Sequence, residues 1–303
     1  MSDIKLFSID GGIAHEIAGT AVALEKSLQS LIENNLEALL GVRLLASEYS
    51  TGPKHGGRID TLGIDENGSP VIIEYKRATN ENVINQGLFY LDWLLDHRAE
   101  LKLLVLDKLG KVPADGIEWS GPRLLCIAGG FTRYDEHAVQ QMDRNIELIR
   151  YRRFGDALLL FELVNATAAM ASAASDTHAV GSAGGDKTIS ESLSGLQGHL
   201  RDLHEELRSY LLALGDDVQE KTLKYYVAFK RIKNFACVEV HPGKGIVRAF
   251  VKVDPDTMAL EPEFTRDVRK IGHYGTGDLE INLRSRDDLE RAKHLFQQSY
   301  EAN

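Results

Sequence analysis

The sequence predicts an α/β (α+β) protein in two parts: a mixed sheet flanked by helices over residues 1–165, and a smaller α+β domain over 187–303. Two observations carry this. Helical and extended periodicities alternate through the first 165 residues, which calls for helices layered on a mixed sheet. Residues 166–186 are Ala, Ser, Gly and Thr with little bulky apolar surface, so they read as a linker. At 303 residues, the chain is long enough for each part to bury its own core.

In chain order, residues 4–18 alternate loosely around Gly11-Gly12 and suggest a short hairpin. An amphipathic helix is expected over 20–40, with Ala21, Leu24, Leu28, Leu31, Ile32, Leu36 and Leu39 on its apolar stripe. At 100° per residue Glu25 falls inside that stripe, whereas Glu33 and Glu37 fall on the wet side. Glu25 is thus an acid turned toward the sheet, or a stripe-edge carboxylate that reaches water. Residues 42–49 read as a strand, and 52–57 (GPKHGG) as a flexible loop whose Lys54 and His55 can approach a phosphate.

Next, 58–64 and 71–76 flank a turn rich in Asp, Asn and Gly, the signature of a β-hairpin. A helix follows, capped by Thr79 or Asn80, with Gln86, Tyr90 and Trp93 sharing one face. That face either hydrogen-bonds a carboxylate and touches substrate, or is a polar edge beside core aromatics. Residues 99–109 suggest another helix, and 123–128, 146–153 and 157–164 read as strands, with a short helix near 135–142. Arg150, Arg152 and Arg153 can grip phosphate or form a solvated strand face. Past the linker, 190–214 has a leucine helix period, 224–240 and 246–253 are extended, 278–283 is a strand and 287–300 a terminal helix. The aromatic and basic run from Tyr225 to Phe235 suits a single-strand-binding surface or, slightly better, an amphipathic element with a basic rim. Residues 272–277 are Gly-rich but lack the strand-to-helix context of a nucleotide loop.

Three charges sit where the central hairpin should be apolar: Asp60, Glu74 and Lys76. Glu74 and Lys76 are two apart and share a sheet face. A two-residue Asn67-Gly68 loop would set Asp60 against Tyr75, on the opposite face from Glu74. With Glu66 and Asn67 in a type I turn and Gly68 left-handed in a bulge, Asp65 pairs with Ser69 and Asp60 falls opposite Glu74. The Val71-Ile72-Ile73 run marks this strand as central and covered, where facing carboxylates cost several kcal/mol in order of magnitude. A hard cation, Mg²⁺ or Mn²⁺, removes that cost and commonly completes its shell with water and phosphate oxygens. Lys76 can orient the attacking water or offset transition-state charge. The bland alternative is a surface hairpin with solvated charges.

The composition, 43% apolar and 26% charged, is that of an ordinary globular protein, and no apolar run approaches a membrane span. A net charge of −10 argues against coating nucleic acid by bulk attraction but leaves room for a local basic groove. The N-terminus has no signal-peptide architecture, and Cys126 and Cys237 lie in apolar surroundings without metal-ligand spacing. A cytoplasmic address is expected.

Together, Asp60, then Glu74-Tyr75-Lys76, then Gln86 and Tyr90 resemble the PD-(D/E)XK nucleases, above all the branch acting on branched or mismatched DNA, with its GRID, ExKR and QxxxY segments. The resemblance covers about residues 20–95 well. It implies a restriction-endonuclease-like sheet and a Mg²⁺-dependent endonuclease acting on DNA, whether branched, mismatched or single-stranded, and is compatible with a homodimer. It assigns metal ligation to Asp60, Glu74 and the Tyr75 carbonyl, and catalysis to Lys76, Glu25 and Gln86. Arg58, Arg77, Tyr90 and Lys54 are the substrate-binding candidates. Residues 187–303 resemble a C-terminal domain of unknown function sometimes labelled a predicted transport protein, and differ from that branch's usual partner domain. An inert nuclease-like binding module and a soluble small-molecule carrier built on the C-terminal domain are the competing readings.

Overall fold

The computed structural model describes residues 4–20, 25–76, 83–167 and 188–303. The chain divides into two units, Met1–Ala173 and Ala174–Asn303. The first opens with β1 (Leu6–Asp10), β2 (Ile13–Ile17), β3 (Gly19–Thr20), α1 (Glu25–Glu33), α2 (Leu36–Leu40), β4 (Val42–Ser50) and α3 (Gly52–His55). The central hairpin is β5 (Arg58–Asp65) and β6 (Pro70–Lys76), followed by α4 (Val83–Asp96), α5 (Arg98–Leu109) and α6 (Lys111–Asp115). The unit ends with β7 (Arg123–Ala128), α7 (Arg133–Gln140), β8 (Asn145–Phe154) and β9 (Leu158–Thr167).

Its main sheet runs β3-β8-β7-β6-β5-β4, with β9 also on β8. β6, β7 and β8 are parallel and the remaining pairings antiparallel, so the sheet is mixed. β6 lies between β5 and β7, and its Val71, Ile72 and Ile73 are fully buried, as strands covered on both faces require. Leu62, Ile72, Leu124 and Cys126 pack with Leu91, Trp93 and Leu94 of α4 and Leu101 and Val105 of α5.

Asp65 sets the hairpin. Its Oδ1 accepts the turn amides of Asn67 (2.9 Å) and Ser69 (2.8 Å), an Asx-type turn, and Gly68 takes a left-handed φ of +79°. The Asp65 amide donates to the Ser69 carbonyl at 2.9 Å, so the loop holds three residues. Asp65 Oδ2 accepts from Arg123 Nη1 at 2.8 Å, and the Arg123 guanidinium forks onto Glu147 at 2.8 Å on each arm. All three side chains are buried. One arginine therefore pins the β5-β6 turn to β7 and β8.

Several expectations are corrected. The helix over 20–40 is two helices, and residues 21–24 lie outside those described. Asn35 ends the first by donating its side-chain amide to the Leu31 carbonyl at 2.9 Å, the local competition that makes Asn a poor helix former. The break re-aims the face. Leu31 is exposed, and Glu33 turns inward to accept from Thr61 Oγ1 at 2.6 Å. The loop over 52–57 contains a helical turn, α3. β9 runs to Thr167, beyond the expected start of the linker, and residues 168–187 lie outside those described. Arg150 pairs with Glu162, Arg152 donates to the Ile4 carbonyl and Arg153 pairs with Asp156, so these arginines serve the fold.

The second unit holds α8 (Ile189–Ser194), α9 (Gly198–Leu212), β10 (Gln219–Thr222), β11 (Val227–Lys230), β12 (Asn234–His241), β13 (Ile246–Val251), β14 (Thr265–Asp267), β15 (Leu279–Leu283) and α10 (Arg286–Glu301). The expected 190–214 helix is split at Gly195, whose amide closes α8 onto the Glu191 carbonyl. An antiparallel sheet ordered β10-β11-β12-β13-β15-β14 packs one face on Leu203, Leu207, Leu289 and Phe296 of α9 and α10. Phe229 and Phe235 belong to that core, so these two rings are not open to stack on bases. On Phe250 of the other face, residues 272–277 form a cover: His273 stacks at 4.2 Å, while Tyr274 stacks on Tyr225 at 4.4 Å.

Arg123→Met should lower stability by about 3–5 kcal/mol, because it leaves Asp65 and Glu147 buried without a counter-charge. Urea unfolding followed by circular dichroism measures this. A loss below about 1 kcal/mol, the worth of an exposed pair, would show that the clamp is dispensable.

Candidate active site

The site forms where the β5-β6 ladder stops. Backbone pairing ends at Thr61 opposite Ile73, which sets Asp60 opposite Glu74, with both side chains on one face. The main-chain bonds are replaced by crossed side-chain bonds. The Asp60 amide donates to Glu74 Oε1 at 3.2 Å, and the Tyr75 amide donates to Asp60 Oδ2 at 3.1 Å. A strand residue turns its N–H and C=O to the same neighbour, so the Tyr75 carbonyl faces this opening as well. The Tyr75 side chain is buried, its hydroxyl 3.1 Å from Thr61 Oγ1.

Glu74 is fully buried, and its Oε2 has no hydrogen-bond partner among the described residues. Loss of hydration, then the neighbouring Asp60 charge, push the Glu74 carboxyl from its ordinary 4.5 up to about 9. Asp60 is raised too, chiefly by burial, against the opposing effects of the Tyr75 amide and the Lys76 charge. At neutral pH the pair therefore holds a proton.

Lys76 ends β6, and its Nζ meets Glu25 Oε1 at 3.3 Å, which brings the acid of the first helical turn to the site. Arg58 is exposed and bound to Glu48 through Nε at 2.5 Å; Glu48 also takes Lys26 at 3.0 Å. An exposed ion pair of this kind is weak and exchanges readily for another anion. Gln29 donates to the Asp60 carbonyl at 2.8 Å, a support that sequence reasoning missed because a glutamine on a helix has no distinctive spacing.

Tyr90, expected among the substrate-binding residues, lies against the start of β5. It is buried, its ring fills the space beside Gly57 where a Cβ would lie 2.5 Å away, and its hydroxyl accepts the Arg58 amide at 3.1 Å. Gln86 donates to that hydroxyl at 3.3 Å, so both residues brace the start of β5. Arg77, with the candidate caps Thr79 and Asn80, lies outside the described residues, as does the side chain of Lys54. Among the described residues, no three His, Cys, Asp or Glu side chains converge as a metal-holding group. Two carboxylates and a carbonyl still suit an ion that keeps several waters, such as Mg²⁺, and the unpartnered Oε2 fits a hard-cation ligand.

The chain is 28% identical over 309 residues to an uncharacterized protein of Haemophilus influenzae, covering 98% of this chain and 99% of that one. Residues 189–303 match the model of a domain of unknown function, DUF5655. Among solved structures, it is similar to a repair endonuclease from Pyrococcus abyssi, with a TM-score of 0.28, 18% identity, and 44% of this chain and 50% of that one covered. It is also similar to the EndoMS–dsDNA2 complex, with a TM-score of 0.25, 20% identity, and coverage of 43% and 47%. The match spans about half the length of each of these two proteins. Among the described residues no helix is long and apolar enough to cross a membrane.

Because the folded pKa of Glu74 lies above its unfolded value, its contribution to stability is full below about pH 4.5 and is lost as pH rises through about 9. Metal-free protein should therefore weaken steadily to urea between about pH 5 and about pH 9. Glu74→Gln cannot ionise; it should flatten that slope and be the more stable protein at the alkaline end. Equal slopes for the two proteins would mean that Glu74 ionises as freely as in water.

Proposed function

We propose that the chain is a divalent-metal-dependent endonuclease that hydrolyses DNA phosphodiester bonds at Asp60, Glu74 and Lys76. The observation that carries this reading is the carboxylate pair of buried Glu74 and half-buried Asp60, with Glu74 Oε2 unpartnered among the described residues. Such a pair is costly to maintain unless a cation is to be bound.

Asp60, Glu74 and the Tyr75 carbonyl would hold the ion, Mg²⁺ or Mn²⁺. Once bound, the ion supplies Lewis acidity, polarising a phosphoryl oxygen and lowering the pKa of water. The chain's own groups do the rest. To serve as a ligand, Glu74 would have to be ionised. The Lys76 ammonium orients the attacking water and offsets negative charge that grows on the phosphate oxygens. Glu25 acts through Lys76 as its positioning partner. At the rim, Arg58 can trade Glu48 for a backbone phosphate, which makes it a contact for positioning rather than for reading sequence.

Asp60→Asn and Lys76→Ala should each lower cleavage by at least about a hundred-fold while leaving the circular dichroism spectrum unchanged. The assay is a Mg²⁺ and Mn²⁺ panel over linear, nicked, branched, mismatched and single-stranded DNA. Wild-type cleavage that survives both substitutions would remove the assignment. A wild type that neither cuts DNA nor takes up Mn²⁺ in calorimetry would leave the site as part of an inert module.

A further inference from the structure

Helix α1 meets the central hairpin with polar side chains where a core-facing helix would present apolar ones. Glu25, Gln29 and Glu33 follow one another at four-residue spacing, so they form a stripe along one side of the helix. Each touches the hairpin: Glu25 through the Lys76 ammonium, Gln29 through the Asp60 carbonyl and Glu33 through the Thr61 hydroxyl. Leu28 and Ile32, one position before Gln29 and Glu33, are fully buried and supply the apolar hold. A polar stripe drawn out of water in this way is tolerable only where its members are bonded.

The bonds converge on Glu33. Its Oε1 accepts from Thr61 Oγ1 at 2.6 Å and from Gln29 Nε2 at 3.0 Å. Thr61 has one hydroxyl proton and gives it to Glu33, so in its 3.1 Å contact with Tyr75 it is the acceptor and the Tyr75 hydroxyl donates. Gln29 uses the same amide nitrogen to hold the Asp60 carbonyl at 2.8 Å. Two chains of bonds therefore end on one carboxylate, one from Tyr75 through Thr61 and one from Asp60 through Gln29. Gln29, Thr61 and Tyr75 are buried and Glu33 is half-buried. Strand alternation turns the Thr61 and Tyr75 side chains to the sheet face opposite the Asp60 and Glu74 carboxylates. The two residues so held, Asp60 and Tyr75, are the ones whose amides make the crossed bonds of the site.

We propose that Glu33 is a positioning residue of the carboxylate site. From behind the sheet, through Gln29 and Thr61, it fixes the backbone of Asp60 and Tyr75 and with it the aim of the Asp60 carboxylate and the Tyr75 carbonyl. For its effect on metal binding this role rests on Asp60, Glu74 and the Tyr75 carbonyl being the ion's ligands; its effect on the backbone does not. Groups that orient ligands without touching the ion still govern affinity, and their loss commonly costs about 10–100-fold.

Amide hydrogen exchange of the metal-free full chain measures the positioning directly. Glu33→Ala should speed exchange at the Asp60 and Tyr75 amides by about ten-fold or more, relative to the amides of Leu125 and Ile127 in β7. Glu33→Gln keeps an oxygen that can accept from Thr61 and Gln29, so it should restore most of the protection. Thr61→Val cuts one chain and leaves the other; it should loosen the Tyr75 amide more than the Asp60 amide, and it carries the test if Glu33→Ala folds poorly. In calorimetry with Mn²⁺, affinity should fall by about 10–100-fold in Glu33→Ala and stay near wild type in Glu33→Gln. Asp60 and Tyr75 amides that exchange in step with those of β7 in Glu33→Ala and in Thr61→Val would overturn the proposal and leave Glu33 as a general brace between helix and sheet. Wild-type Mn²⁺ affinity in Glu33→Ala would overturn it too. A wild type that takes up no Mn²⁺, with both amides responding as expected, would uphold the positioning and remove the metal reading instead.

Discussion

The N-terminal unit depends on the register of one hairpin. Asp65 gives one oxygen to two turn amides and the other to Arg123, so the loop length and the attachment of β5-β6 to the central strands are fixed by the same side chain. A slip of one residue would turn Asp60 away from Glu74 and send Leu62 and Ile64 out of the core. The clamp is itself two acids on one base, buried, so removing one partner costs more than the group's net contribution to stability.

Much of this was legible in the chain. Asp-Glu-Asn-Gly between two apolar runs defined a three-residue loop, and counting from it set Asp60 against Glu74. The apolar Val71-Ile72-Ile73 run gave the strand its central place. Arg123 and Glu147 were not legible as a clamp: they lie 58 and 82 residues from Asp65, and nothing local separates a buried strand arginine from a solvated one. Glu33 misled for a related reason. The helical wheel assumed an unbroken helix over 20–40, and the side-chain bond of Asn35 that ends α1 has no hydrophobic signature. Tyr90 and Gln86 had two readings on the wheel, and the wheel could not show the close approach of the Tyr90 ring to Gly57.

In the second unit the core was readable from its leucine and aromatic periods, but the short polar strands β10 and β14 were not, since both are held by neighbours rather than by apolar pattern. The glycines over 272–277 prove to serve close packing. Gly275 lies so near Cys237 that an added Cβ would stand 2.6 Å from the cysteine Cβ. That loop covers the sheet face the helices leave open, as the stacked His273 and Tyr274 show.

The crossed bonds at the end of the β5-β6 ladder have a mechanical meaning. Each acid already grips the opposite strand's backbone with one oxygen, so the jaw is set before anything arrives, and the remaining oxygens are presented by a frame that need not rearrange. A cation bound there would meet a preset receptor and would add little ordering cost.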